Sequence, residues 1–128
     1  MTNNHPNRAT LYTVLDSNGS VLDRHCTVAE AAHTVMIEDG HEYEIREGEY
    51  KGVRMFELWT SQFSRNSGCY NGLTKSVIFS LNPDRKTAEA EIYREVIKTA
   101  VWWKHCNVQS DEDYDAMLAE TVAGQTDE

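Results

Sequence analysis

Hydrophobic and polar positions along the chain follow two rhythms. A period of two marks LYTVLD (11–16) and VLDRH (21–25), on either side of Ser17-Asn18-Gly19-Ser20. Asn-Gly between two β-rich runs predicts a hairpin with a type I′ turn, because both residues tolerate positive φ. HEYEIRE (41–47) sets Tyr43 and Ile45 against Glu42, Glu44 and Arg46, the alternation of a half-buried strand. Gly48 to Gly52 reads as a turn and VRMFELWT (53–60) as the partner strand, with Phe56 and Leu58 on one face and Met55 and Trp59 on the other. In KSVIFSL (75–81), Val77, Phe79 and Leu81 are expected to face the core, with Ser76 and Ser80 outward.

A helical period appears three times. Thr27-Val28-Ala29-Glu30 is a capping box, and Val28, Ala31, Ala32, Val35 and Met36 share one face of a helix running to about Asp39. Gly40 then stands where a left-handed cap is wanted. A longer helix, about 84–104, opens after Asn82-Pro83 and carries the stripe Ala88, Ile92, Val96, Ala100 and Trp103, widened by Tyr93, Ile97 and Val101. Ser110 is the expected cap of a last helix, about 111–122, with Tyr114, Met117, Leu118 and Val122 at helical spacing. The order β-β-α-β-β-β-α-α predicts an α+β fold: one antiparallel sheet of about five strands with helices on one face. Residues 1–9 read as a flexible lead, 10–122 as one domain and 123–128 as an acidic tail.

Composition adds where the charge lies. The chain has 128 residues and a formal net charge of −9. Seven of its 21 acidic residues and none of its 12 basic ones fall in 111–128, leaving the remainder nearly neutral at 14 acidic against 12 basic. An acidic block of this kind points to a protein partner with a basic surface, and the absence of a Lys/Arg cluster argues against direct nucleic-acid binding. The first turn of the last helix also has a purely structural use for Asp111, Glu112, Asp113 and Asp115, because carboxylates there oppose the helix macrodipole. On that reading Asp115, Glu120 and the combined field of the helix are what is left for a partner. Glu42, Glu44, Glu47 and Glu49 would extend the acidic surface along one outer side of the 41–50 hairpin.

No apolar run approaches the roughly 20 residues of a membrane span, and MTNNHPNRAT lacks the apolar segment of a secretory signal. Three cysteines, Cys26, Cys69 and Cys106, without C-x-x-C spacing suit reduced thiols. A cytoplasmic location is expected.

Candidate chemistry is sparse. The segment SQFSRNSGCYNG (61–72) gathers Ser64, Arg65, Asn66, Ser67, Cys69, Tyr70 and Asn71 in a connection longer than most hairpin loops. Two readings stay open there. Arg65 and Tyr70 could hold a partner or ligand, or Cys69 could serve a small enzyme as nucleophile, although no pattern selects its base among His25, His33, His41 and His105. The identical dipeptides His25-Cys26 and His105-Cys106 have the composition of a zinc site. Neighbouring residues point apart, however, so each dipeptide supplies at most one ligand and satisfied, partly buried residues are expected. No metal or cofactor is called for. Of Trp102-Trp103, one ring should complete the core stripe. The other is expected to lie under the last helix, or else to be an exposed anchor for a partner.

The runs TVAEAAHTVMIEDGHEYEIR (27–46), FELWTSQFSRNS (56–67) and SVIFSL (76–81) resemble small acidic proteins of bacterial and phage mobile-element cargo. That resemblance implies an accessory protein or an inhibitor of a host defence protein, and it assigns no catalytic residue. The sequence thus points to a non-enzymatic protein-binding chain, with Asp111, Glu112, Asp113, Asp115, Glu120, Arg65, Tyr70, Trp102 and Trp103 as its contact residues. A small enzyme or ligand-binding domain centred on 61–72 and an oligomerising subunit are the alternatives.

Overall fold

The computed structural model describes residues 10–38, 40–61, 63–64, 69–70, 72–103 and 105–126, with backbone alone for 63–64, 69–70, 103 and 123–126. Strands β1 (Tyr12–Leu15) and β2 (Val21–Cys26) form the expected hairpin. Its turn differs from expectation. Gly19 N–H donates to the Asp16 carbonyl at 3.0 Å and only Gly19 of the turn has positive φ, so a type I turn ends in a left-handed glycine. The Asp16 carboxylate, accepting from the Asn18 and Ser20 N–H groups, favours that geometry over type I′.

Helix α1 (Val28–Glu38) starts at the capping box, with Thr27 N–H donating to Glu30 at 2.9 Å and Glu30 N–H to the Thr27 hydroxyl at 3.2 Å. Gly40 follows at φ 75°. Strands β3 (Tyr43–Tyr50) and β4 (Val53–Thr60) pair along their full length, and Lys51-Gly52, both at positive φ, make the two-residue turn. Gly48 is therefore a strand residue and not part of a turn. A side chain there would collide with Glu57, whose Cδ would lie 2.6 Å from an added Cβ. Because β3 runs unbroken, its glutamates fall on alternate faces: Glu44 pairs with Arg46 on one, Glu47 with Arg54 on the other. The four do not share one outer side.

The short ladder β5 (Phe63–Ser64) with β6 (Cys69–Tyr70) leads to β7 (Thr74–Ser80). Here the inward face is reversed from expectation. Ile78 and Ser80 are buried, whereas Val77, Phe79 and Leu81 are exposed. Two observations explain the reversal. Register is one: Ser80 stands opposite the core residue Phe56 and Phe79 opposite Glu57, and the two extra residues of β7 between Lys75 and Phe79, being even in number, keep that alternation in phase. Ser80 is also satisfied inside, its hydroxyl donating to Glu91 of the next helix.

Helix α2 (Arg85–Lys98) is capped by Asp84, which accepts from Thr87 N–H at 3.0 Å. The long helix stops at Thr99, whose hydroxyl bonds back to the Glu95 carbonyl, and a separate turn, α3 (Ala100–Trp103), follows. Val101, expected on the buried stripe, is exposed. An unforeseen strand, β8 (Asn107–Ser110), then pairs antiparallel with β1 and precedes α4 (Asp111–Thr126). The single sheet of about five strands is accordingly replaced by two three-stranded antiparallel sheets, β2-β1-β8 and β3-β4-β7, beside the β5-β6 ladder. Helix α1 packs on the first sheet and against α2, and α2 packs on the second. Phe56, Leu58, Ile78, Val14, Val35, Met36, Ile92 and Val96 form one continuous core between them.

Candidate functional site

The acidic helix is anchored by its first turns, and strand β2 supplies the means. Two residues of β2, Arg24 and His25, stand opposite Thr13 alone, because the register advances by three residues from Asp23 to Cys26 against two from Val14 to Tyr12. His25 takes a left-handed φ of 58° at this bulge. Bulges redirect side chains, and this one sends Arg24 and His25 to the outer face of the β2-β1-β8 sheet while Cys26 points into the core. There His25 Nδ1 lies 2.7 Å from Asp111 Oδ2, and the buried Thr13 hydroxyl donates to Asp111 Oδ1 at 2.7 Å. Arg24 donates to Thr13 Oγ1 at 3.1 Å and to Asp115 Oδ1 at 2.9 Å, and its guanidinium lies 4.9 Å from the Tyr114 ring centroid. Burial pushes the Asp111 carboxyl up, but the hydrogen bonds from Thr13 and His25 outweigh it and hold the group below the ordinary aspartate range.

These contacts settle where two of the proposed contact residues point. Asp111 and Asp115 are engaged within the chain, Asp115 through an ion pair with Arg24 that leaves its side chain 62% exposed. Glu112, Asp113 and Glu120 are exposed. Ser110 caps the helix as expected, its hydroxyl accepting from Asp113 N–H at 3.1 Å. Beyond the anchor, Met117, Leu118 and Val122 continue the apolar stripe that Tyr114 begins. They remain 40%, 40% and 57% exposed. The stripe outruns the sheet that its first turns cover.

The other contact residues are scattered. Trp102 on α3 is 82% exposed, so α4 does not cover it as expected, and only the backbone of Trp103 is described. Arg65 lies outside the described residues, as do the side chains of Cys69 and Tyr70; the backbone of the latter two pairs with Ser64 and Phe63. The reading of 61–72 as a binding or catalytic loop therefore falls largely outside the described residues.

Elsewhere the chemistry is quiet. Burial, with Asp23 as the main charged neighbour, raises the Cys26 thiol to about 12, which leaves it protonated at neutral pH. Among the described residues no group of three His, Cys, Asp or Glu side chains could hold a metal ion, and no helix is long and apolar enough to cross a membrane. A shallow groove of about 450 Å³ runs between the 16–19 turn and α3, along Leu15, Val101 and His105. Its one carboxylate, Asp16, is occupied by the turn.

A second surface, missed by sequence reasoning, is the outer face of β3-β4-β7. Glu57 sits there with its side chain only 7% exposed, accepting from Lys75 Nζ and Trp59 Nε1, each at 3.2 Å. Arg46 covers the Trp59 ring with its guanidinium carbon 4.4 Å from the centroid. The alternation of β4 already placed Glu57 on the Met55–Trp59 face. What hid the surface was the inverted assignment of Val77, Phe79 and Leu81. Comparison of the chain with protein-family models, curated proteins and solved structures finds no match.

Proposed function

We propose that the chain is a non-enzymatic protein-binding accessory or inhibitor protein whose α4 helix engages a partner with a basic, nucleic-acid-binding surface. The observation that carries this reading is the exposed stretch of α4. Met117, Leu118 and Val122 extend past the sheet that anchors the helix, and Glu112, Asp113 and Glu120 occupy its other sides. An apolar stripe on an acidic helix suits a groove with an apolar floor and a basic rim. The affinity then comes from the buried stripe, while the carboxylates raise the association rate and set partner choice. Compared with an acidic block acting as a whole, this assigns less to charge and more to three apolar side chains. The resemblance to mobile-element cargo fits such a role against a host defence or replication protein.

The test is affinity capture from nuclease-treated host lysate with the intact chain and with a Met117→Ser/Leu118→Ser/Val122→Ser variant. Asp111, Tyr114 and Asp115 are retained, so the anchor is left in place. The expected result is a captured protein that the variant fails to retain and that elutes as salt rises, because screening acts within roughly 8–10 Å at physiological strength. Equal capture by both chains would refute the role of α4.

A further inference from the structure

We infer that the outer face of the β3-β4-β7 sheet is an interface, and that its occupant is the same face of a second copy of this chain. The face is apolar where it is open. Val77 is 91% exposed and Phe79 53%, and Leu81, Val53 and Tyr50 are each more than half exposed beside the nearly covered Met55. Their combined apolar surface is on the order of several hundred Å², at the upper end of what a monomer normally leaves to water. With a polar rim it approaches the roughly 800 Å² that each partner contributes to a stable interface.

Charge selects the occupant. The three strands place Glu44, Arg46, Glu57 and Lys75 on this face, two of each sign. Arg46 pairs with Glu44 at 3.0 Å and Lys75 with Glu57 at 3.2 Å. These four charges are thus answered within the face, with Lys51 at its rim 5.3 Å from the Tyr50 ring centroid, so a strongly basic or acidic partner finds little there to pair with. A copy of this chain has the opposite problem: at a net charge of −9 it is repelled by its like, except where the contacting surface is neutral. This face is neutral, and the acidic helix belongs to the other sheet.

At the β7 edge the backbone favours face-to-face contact over strand pairing. The two extra residues of β7 interrupt its ladder, and such irregularities blunt an edge against strand addition. Two copies related by a two-fold axis would stack their three-stranded sheets about 10 Å apart, with the residues of each face interdigitating. Val77, projecting from the irregularity, would be the foremost contact.

Sedimentation of the full chain over a concentration series up to about 100 μM, above the micromolar-to-picomolar Kd range of interfaces of standard size, tests the inference. The expected result is a reversible dimer. Val77→Glu and Phe79→Glu, at positions already exposed in the single chain, should each weaken it by about tenfold or more while the far-ultraviolet circular dichroism is unchanged. Leu118→Glu on α4 should leave the dimer intact, which keeps this inference separable from partner binding by that helix. A monomer throughout the series, a polymer in place of a dimer, or a dimer lost with Leu118→Glu and retained with the β7 variants would each overturn it.

Discussion

The two three-stranded sheets of this chain have contrasting outer faces. In β2-β1-β8 the outer face is closed: a bulge turns Arg24 and His25 outward, and they fasten Asp111 and Asp115 of α4 over Thr13. In β3-β4-β7 no helix among the described residues crosses the outer face, and Phe79, Val77 and Leu81 stand open around a self-neutralised Glu57. The same ingredient, a carboxylate next to a basic side chain, therefore does two jobs. Across elements it ties a helix down. Within one sheet it removes charge from a surface and leaves that surface to hydrophobic contact. Acidity alone is a poor guide to where such a chain meets its partners, because what matters is whether each carboxylate is already answered.

Several substitutions would break or sharpen this contrast. The largest effect is expected from Phe56→Ala, which empties the centre of the shared core and should cost about 3–5 kcal/mol. Denaturant unfolding followed by circular dichroism and by tryptophan fluorescence should lose both signals together; separate transitions would mean that the two sheets are independent units. Asp111→Ala should cost about 1–3 kcal/mol by stripping the buried Thr13 hydroxyl of its acceptor. Its signature is faster amide exchange in β1, β8 and α4 with β3 and β4 unchanged. Gly48→Ala is the counterpart on the other sheet. Its methyl group must displace the Glu57 carboxylate from Lys75 and Trp59, at about 1–2 kcal/mol, and exchange should quicken in β3 and β4 alone.

Acid supplies a subtler probe. The Asp111 carboxyl is held below its ordinary value, so its contribution to stability is complete at neutral pH. It is lost as the pH falls below about 4 and through the lowered value. Asp111→Asn should flatten that part of the stability profile, and an unaltered profile would remove Asp111 from the anchor. The smallest effect concerns Cys26. With its thiol near 12, alkylation of the folded chain at neutral pH should leave the Cys26 peptide unmodified in mass spectrometry.

What could be read from the sequence was local. The capping box at Thr27–Glu30, the left-handed Gly40 and the Ser110 cap each depend on groups within a few residues of one another, and each stands in the fold. What could not be read was set by distant partners. Strand β8 exists because Asn107–Ser110 pairs with β1, and nothing in those four residues announces it. The faces of β7 were inverted because its pairing with β4, Ser80 opposite Phe56, and the Ser80–Glu91 bond are set by the neighbouring elements. At the candidate site, the stripe of α4 was visible as a periodicity. That the sheet ends beneath Leu118 and Val122 was not.

The pairing of β8 with β1 also orders events in time. Thr13 and its partner Asp111 are 98 residues apart, whereas β3 and β4 are joined by a two-residue turn. On the ribosome, the β3–β4 hairpin can zip as soon as it is made, but β1 and β2 wait as an incomplete ribbon until the residues of β8 emerge. The sheet begun first is finished last, and during synthesis its exposed strand edge is the one a chaperone would have to shield.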